Sequence, residues 1–256
     1  MYINLLTDIS NGVATVTLNR PKQLNALNKE TITELSACLD TLASDKTVRI
    51  LILTGSGEKS FVAGADIKEF ADFNVEQGKE LAAKGQDMLF NKIENYTKPV
   101  IAAVNGFALG GGLELAMSCH VRVASDNARV GLPETSLGVI PGYGGTQRLA
   151  QLAGKGKAME LVLTAGMIKA DEALTWGIVN HVVPQEELLA TCQKIASKMM
   201  SNSPNAQTVA ISVINAGFKA GVDGFEAEVE GSGKCFGTPE FVEGTSAFME
   251  KRKANF

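Results

Sequence analysis

Two glutamates stand in stretches of the chain that carry no other charge. Glu114 follows fifteen uncharged residues, 99–113, and Glu134 precedes thirteen more, 135–147. Burial of a carboxyl group in apolar surroundings raises its pKa, which suits general acid–base catalysis near neutral pH. The pair therefore predicts proton-transfer chemistry. The alternative without catalysis is a stabilising charge in the first turn of a helix for Glu114 and a cap after a proline for Glu134.

A second feature is a group of nine glycines between residues 106 and 145. Within it, 110–112 precedes a predicted helix, and so does the small segment 63–65. The first N–H groups of a helix have no partner inside it, and the helix dipole favours negative charge there. Two such ends brought together would form an oxyanion hole for a carbonyl that becomes an enolate or a tetrahedral anion. Tight loops between strands are the alternative explanation for the glycines.

The composition argues against several other chemistries. The two histidines, His120 and His181, lie near no G-x-S-x-G motif and form no H-E-x-x-H pair, so a serine hydrolase or a zinc hydrolase is not indicated. No phosphate-binding G-x-x-x-x-G-K-[ST] loop occurs, and we interpret Gly55–Ser60 as a turn. The net charge of −4 argues against a nucleic-acid partner.

The cysteine spacing and the length of the apolar runs indicate the cellular location of the protein. The four cysteines are widely spaced, which predicts neither a disulfide framework nor a bound metal. MYINLLTDIS lacks the features of a signal peptide, and the longest strand-like apolar runs are too short to cross a bilayer. We expect a cytoplasmic protein with no membrane partner.

Alternating hydrophobic patterns predict the elements that would position these residues. Asn28 is expected to cap a helix, and further helices are expected from about Asp66 and from Leu113. Repetition of strand, loop and helix is typical of an α/β fold. The predicted strands are Val13–Leu18, Ile50–Leu53, Val100–Val104 and Val121–Ala124.

After Pro184 the strand patterns stop and helical patterns follow. A helical tail of this length cannot easily bury its own apolar faces, so it should pack on the main domain or on a neighbouring subunit. The predicted helices cover about 186–201, 206–220, 222–235 and 239–252.

Five sequence blocks, in order along nearly the whole chain, resemble the enoyl-CoA hydratase/isomerase (crotonase) family, and most of all its short-chain enoyl-CoA hydratases and 3-hydroxybutyryl-CoA dehydratases. The blocks are LNRPKQLNALN at 18–28, FVAGADIKEF at 61–70, NGFALGGGLELAMSC at 105–119, LPETSLGVIPGYGGTQRL at 132–149 and AFMEKRKANF at 247–256.

The resemblance implies an α/β fold, a spiral of repeated ββα units with a C-terminal helical trimerisation region. It places the core with the CoA and catalytic site in residues 1–195 and the oligomerisation region in 196–256. It also implies a homotrimer or a dimer of trimers (a hexamer), with an acyl-CoA thioester as substrate. No cofactor is implied beyond the coenzyme A that is part of the substrate.

By the family pattern, Glu114 and Glu134 are the catalytic pair, and the N–H groups of Ala65 and Gly111 form the oxyanion hole. Retention of both glutamates implies hydration of trans-2-enoyl-CoA to 3-hydroxyacyl-CoA and the reverse dehydration, with acid and base unassigned within the pair. A double-bond isomerase of the same family, or a weakly catalytic CoA- or RNA-binding protein, is the alternative. The expected substrate-binding residues are Lys22, Leu24, Ala63, Gly64, Ala65, Asp66, Ile67, Lys68, Gly111, Gly142, Phe248 and Lys251.

Overall fold

The computed structural model describes residues 2–256, in which two β-sheets are surrounded by helices. The strands, in chain order, are β1 (Leu5–Ser10), β2 (Val13–Leu18), β3 (Ile50–Gly55), β4 (Ser60–Val62), β5 (Val100–Val104), β6 (Phe107–Leu109), β7 (Val121–Ser125), β8 (Arg129–Gly131), β9 (Met167–Lys169) and β10 (His181–Val183). The helices are α1 (Lys29–Ser44), α2 (Val75–Gly85), α3 (Asn91–Glu94), α4 (Gly111–Ser118), α5 (Gly145–Thr164), α6 (Ala170–Thr175), α7 (Leu188–Met200), α8 (Pro204–Ala216), α9 (Gly224–Cys235) and α10 (Pro239–Met249).

From β3 to β8, successive strands alternate between the two sheets. The larger sheet has the order β1-β2-β3-β5-β7-β10 and the smaller one β4-β6-β8-β9. Strands pair in parallel except β1 with β2 and β8 with β9. Each of the pairs β3/β4, β5/β6 and β7/β8 contributes one strand to each sheet before the chain enters a helical segment. The predicted spiral of ββα units is therefore confirmed.

The central strands β3 and β5 of the larger sheet are covered on both faces, which explains their largely apolar sequences. All six residues of β3 are buried. Leu51 and Leu53 belong to the main core, whereas Ile50 and Ile52 face a second core that Leu188 joins from α7. Strands buried on both sides lose the alternation of apolar and polar residues that a solvent-facing strand shows.

The N-terminus of α1 forms as the sequence predicts. The Asn28 side chain accepts a hydrogen bond from the Thr31 N–H at 2.9 Å, which caps the helix. The apolar positions of this helix turn inward, and Leu35 and Leu39 are fully buried.

The helix expected from about Asp66 is a wrong prediction. Residues Ile67–Glu69 form one 3₁₀ turn, and α2 begins only at Val75. Two physical causes delay it. The segment before Asp66 is held extended by pairing with Leu27, and Asn74 forms a capping box that fixes the start of α2.

The C-terminal helices differ from the rest in how little of their surface they bury. Helix α7 packs on the sheet, but α8, α9 and α10 together bury only Gly231 and Ala247. Large apolar side chains remain exposed there, including Phe225 at 85% and Phe248 at 84%. The predicted boundary between residues 195 and 196 falls within α7, and the division into two regions stays a prediction.

Candidate active site

Glu114 is buried in the first turn of α4, with 1% of its surface exposed. Burial raises its pKa from 4.5 to about 7, the hydrogen bond from Gly145 opposes the rise, and the charge of Glu134 adds to it. The predicted desolvation of this carboxyl group is confirmed. At neutral pH both of its protonation states are therefore populated.

The loop before α5 holds one oxygen of Glu114. Oε1 accepts hydrogen bonds from the backbone N–H of Tyr143 at 2.8 Å and of Gly145 at 2.7 Å. Gly145 is the first residue of α5, so one of these donors is a helix-terminal N–H with no partner inside its own helix. Because both donors bind Oε1, the second oxygen, Oε2, receives no hydrogen bond from this loop and can contact another group.

Glu134 lies in a 3₁₀ turn, Pro133–Leu137, that follows the last strand of the third ββα unit. It is half-buried, and burial raises its pKa. Its Oε2 is buried without a hydrogen-bond partner among the described residues. A Cβ added to Gly110 would stand 2.6 Å from its Oε1, so the carboxyl group lies directly against the backbone at the start of α4.

The two expected oxyanion donors are close together. A Cβ placed on Gly111 would lie 3.6 Å from the backbone nitrogen of Ala65. Gly111 begins α4, so its N–H has no partner inside the helix. Leu27 bonds the Gly64 carbonyl and the Asp66 N–H on either side of Ala65, which turns the Ala65 N–H to the opposite side of the chain. The Ala65 donor therefore comes from extended backbone, not from the helix end that the sequence predicts.

A cavity of 450 Å³ is lined in part by Ala65, one of these two residues. Its wall includes the ring of Tyr143, which stacks on Phe90 with 4.6 Å between ring centroids. The lining also includes charged residues of α1 and α2, namely Lys29, Glu80 and Lys84. The lining residues are Leu27, Lys29, Ile32, Thr33, Ala65, Asp66, Glu69, Phe70, Phe73, Gln77, Glu80, Leu81, Lys84, Gly85, Met88 and Tyr143.

Several other predicted binding residues surround this region. The Leu24 carbonyl accepts the N–H of Ala63 at 3.1 Å, which joins the 3₁₀ turn that contains Lys22 to the segment before Ala65. Gly64 has a φ of +119°, a conformation that favours glycine. The Gly142 carbonyl accepts a 2.7 Å hydrogen bond from the side chain of Gln86.

Of the remaining predicted residues, Asp66 lines the cavity, whereas the others are exposed. Asp66 pairs with Arg20 at 3.1 Å, and Ile67 and Lys68 are exposed in the 3₁₀ turn. Phe248 and Lys251 are exposed at the end of the C-terminal helices. Among the hydrogen bonds of residues 2–256, none joins either of them to the other predicted site residues.

Sequence reasoning missed the groups that hold Glu114: Tyr143, Gly145 and the buried Arg148 behind them. The signal was present, because Gly145 precedes a helical stretch just as 110–112 does. At Gly145, an unpartnered helix-terminal N–H of the kind that was predicted to bind a substrate oxygen donates instead to a protein carboxylate.

Neither histidine belongs to the site. His120 accepts the Val100 N–H at Nδ1, 3.0 Å away, and its Nε2 lies 3.2 Å from the Glu94 carbonyl, while His181 is exposed on β10. Across residues 2–256, no group of three or more His, Cys, Asp or Glu side chains is placed to hold a metal ion. Within the same residues, no helix has the length and apolar character needed to cross a bilayer.

The sequence of this chain matches a known protein family. A family described as "Enoyl-CoA hydratase/isomerase" matches residues 8–256. The chain belongs to the enoyl-CoA hydratase/isomerase family. This membership confirms the resemblance carried by the five sequence blocks, and both glutamates lie inside the matched range.

Individual members of the enoyl-CoA hydratase/isomerase family match over almost their whole length. A short-chain-enoyl-CoA hydratase of Clostridium acetobutylicum is 49% identical over 98% of this chain and 96% of its own. A crotonyl-CoA hydratase of Syntrophomonas wolfei is 47% identical over 100% and 98%. The crystal structure of an enoyl-CoA hydratase from Bacillus anthracis superposes with a TM-score of 0.92 at 40% identity, covering 99% of this chain and 98% of that one.

Proposed function

We propose that the protein hydrates trans-2-enoyl-CoA thioesters to 3-hydroxyacyl-CoA and catalyses the reverse dehydration. The observation that carries the proposal is the pair of desolvated glutamates at the start of α4, beside the backbone N–H groups of Ala65 and Gly111. The relatives named as hydratases support the same reaction.

In this mechanism the thioester carbonyl accepts hydrogen bonds from the two N–H groups. Water attacks C3 and gives one proton to the glutamate pair, while the pair gives one proton to C2. The electron pair of the C2=C3 bond passes through an enolate whose oxygen the two N–H groups stabilise. The pair gains one proton and loses one, so its total charge is unchanged over the cycle. Acid and base belong to Glu114 and Glu134 jointly, because coupled carboxyl groups share their titration.

The acyl group is proposed to occupy the 450 Å³ cavity beside Tyr143. The CoA portion would then follow the segment from Ala63 to Lys68, with Lys22 and Leu24 near its nucleotide end and Gly142 beside the acyl end. The addition of water is redox-neutral, so the carboxyl groups can carry it without a redox cofactor. The names of the two bacterial relatives support a short acyl chain.

We also propose that further copies of the chain cover the exposed apolar faces of the C-terminal helices, as a trimer or a dimer of trimers. Contiguous apolar surface of this kind usually marks an interaction site. Phe248 and Lys251 would then meet a neighbouring subunit. A cytoplasmic location is supported by the four unpaired cysteines, of which three are buried. Light scattering on the purified protein tests the assembly.

The reaction is tested with Glu114→Gln and Glu134→Gln. Each should reduce kcat for crotonyl-CoA by at least roughly 100-fold, the lower end of the usual contribution of general acid–base catalysis. Loss of the conjugated thioester absorbance follows turnover, and calorimetry with butyryl-CoA checks that binding survives. Full hydratase activity of Glu134→Gln would overturn the two-carboxylate mechanism. Turnover of 3-enoyl-CoA alone would instead identify an isomerase.

A further inference from the structure

Arg148 is a buried cation that lies directly behind the loop holding Glu114. It stands in the first turns of α5 with 6% of its surface exposed. Its Nη1 donates to the Tyr143 carbonyl at 2.8 Å. Nε and Nη2 donate to the two carboxylate oxygens of Glu94 at 3.1 and 2.8 Å, and Nη2 also donates to Asn91 Oδ1 at 2.9 Å. This planar, two-pronged geometry is specific to a guanidinium group.

The guanidinium also fills the space that a side chain at residue 144 would need. Gly144 has a φ of +94°, and a Cβ added there would lie 2.3 Å from Arg148 Nη1. The loop backbone therefore lies between the Glu114 carboxyl group and the Arg148 guanidinium. Tyr143 donates its N–H to Glu114 Oε1 at 2.8 Å and accepts from Arg148 through its carbonyl. The orientation of residue 143 is fixed from both sides.

We propose that Arg148 is a positioning residue for hydration, which clamps the loop 143–145 so that its N–H groups hold Glu114 Oε1 and turn the other carboxylate oxygen toward the reacting atoms. The proposal rests on the proposed function, because it assigns Arg148 a task only if Glu114 takes part in proton transfer. Arg148 itself bonds protein groups and is not among the residues that line the 450 Å³ cavity.

The charge of Arg148 acts on the same carboxyl group. The charged and titratable groups that face Glu114 are Glu134, Arg148 and the Tyr143 phenol. Arg148 lowers the pKa of Glu114, against the larger effect of burial. Without the guanidinium, the pKa of Glu114 should rise. Because the two carboxyl groups titrate as a coupled pair, at least one limb of the kcat/KM profile then moves to higher pH.

The test compares Arg148→Gln and Arg148→Lys with the unmodified enzyme. Arg148→Gln removes the charge and the two-pronged hydrogen bonding, so we expect kcat to fall by roughly 100-fold, as for a displaced catalytic group, and a limb of the pH profile to move to higher pH. Arg148→Lys keeps the charge but loses the two-pronged hydrogen bonding, so kcat should fall while the kcat/KM pH profile stays in place. Affinity for butyryl-CoA should be unchanged in both. If Arg148→Gln fails to fold, the Arg148→Lys result alone tests the positioning role.

Arg122 supplies a matched control. It too is a buried arginine that donates to backbone carbonyls, those of Ile178 at 2.7 Å and Cys119 at 2.6 Å, neither of which belongs to the loop before α5. Arg122→Lys should affect stability, as loss of a buried guanidinium does, and leave the pH profile in place. An equal loss of kcat in Arg122→Lys and Arg148→Lys would show a general packing effect and overturn the proposal.

A double substitution separates this proposal from the proposed function. If Arg148 acts through Glu114, adding Arg148→Lys to Glu114→Gln should reduce the residual kcat by less than roughly twofold, because residues that act as a unit are strongly non-additive. Multiplicative losses would refute the positioning role while leaving the glutamate mechanism standing. Full activity of Glu114→Gln alone would refute the proposed function instead.

Discussion

Replacing Glu114 with glutamine should make the protein more stable at alkaline pH while it removes hydratase activity. Glutamine keeps the shape and an oxygen that can still accept the N–H groups of Tyr143 and Gly145. It removes only the buried charge. The pKa of Glu114 lies at about 7 instead of 4.5. At about 1.4 kcal/mol per pKa unit, ionising this group in the folded protein requires about 3 kcal/mol more than in the unfolded chain.

The sign of the pH dependence follows from this raised pKa. The folded state binds the Glu114 proton more tightly than the unfolded chain does, so the wild-type protein loses stability as the pH rises from 4.5 through 7. The advantage of Glu114→Gln should therefore be about 3 kcal/mol at pH 8.5 and below about 1 kcal/mol at pH 5. Urea unfolding of both proteins, at equal subunit concentration, measures the difference.

Glu34→Gln is the matched control for this measurement. Its carboxylate also accepts two backbone N–H groups, those of Ile3 at 2.7 Å and Asn4 at 2.8 Å, but near the protein surface. We expect no gain in stability at pH 8.5 from this substitution. If Glu114→Gln is no more stable than the wild type at pH 8.5, or if its advantage is equal at pH 5, the buried-charge reasoning is refuted.

Two further predictions concern glycines at the start of α4 and in α2. Gly111→Pro removes one proposed oxyanion donor and should abolish turnover in a protein that still binds butyryl-CoA; normal turnover would exclude the Gly111 N–H from the mechanism. Gly112→Ala should prevent folding, because its Cβ would lie 1.9 Å from the Val62 carbonyl oxygen. A Cβ added at Gly78 in α2 would have no other atom within 4 Å, so Gly78→Ala should instead raise the free energy of unfolding by about 1 kcal/mol, as measured in urea. A Gly112→Ala protein more stable than Gly78→Ala would contradict the packing at α4.

The elements that sequence reasoning predicted correctly are those set by neighbouring residues. The run Val100–Val104 is fully buried, as its uniform apolar character predicts, and Asn28 caps α1 through a residue three positions away. The helix expected from Asp66 failed because a distant partner overrides its local pattern. Leu27 holds that segment extended across about forty residues of chain.

In the candidate site too, features set by neighbouring residues were predicted and contacts between distant residues were not. Glu114 stood out because its own neighbours in the chain are uncharged, and its raised pKa follows from the burial that such neighbours predict. Its hydrogen-bond donors lie 29 and 31 residues away, and Arg148 meets Glu94 across 54 residues. Such contacts depend on how the ββα units stack, which no local pattern encodes.

Tyr143 performs two tasks with two different parts of one residue. Its main-chain N–H donates to Glu114, whereas its ring stacks on Phe90 beside the cavity that we propose for the acyl group. A main-chain donor is the same in every non-proline amino acid. Substitution at this position can therefore reshape the cavity wall while the donor to Glu114 is retained, so evolution can retune substrate choice here without rebuilding the proton-transfer machinery.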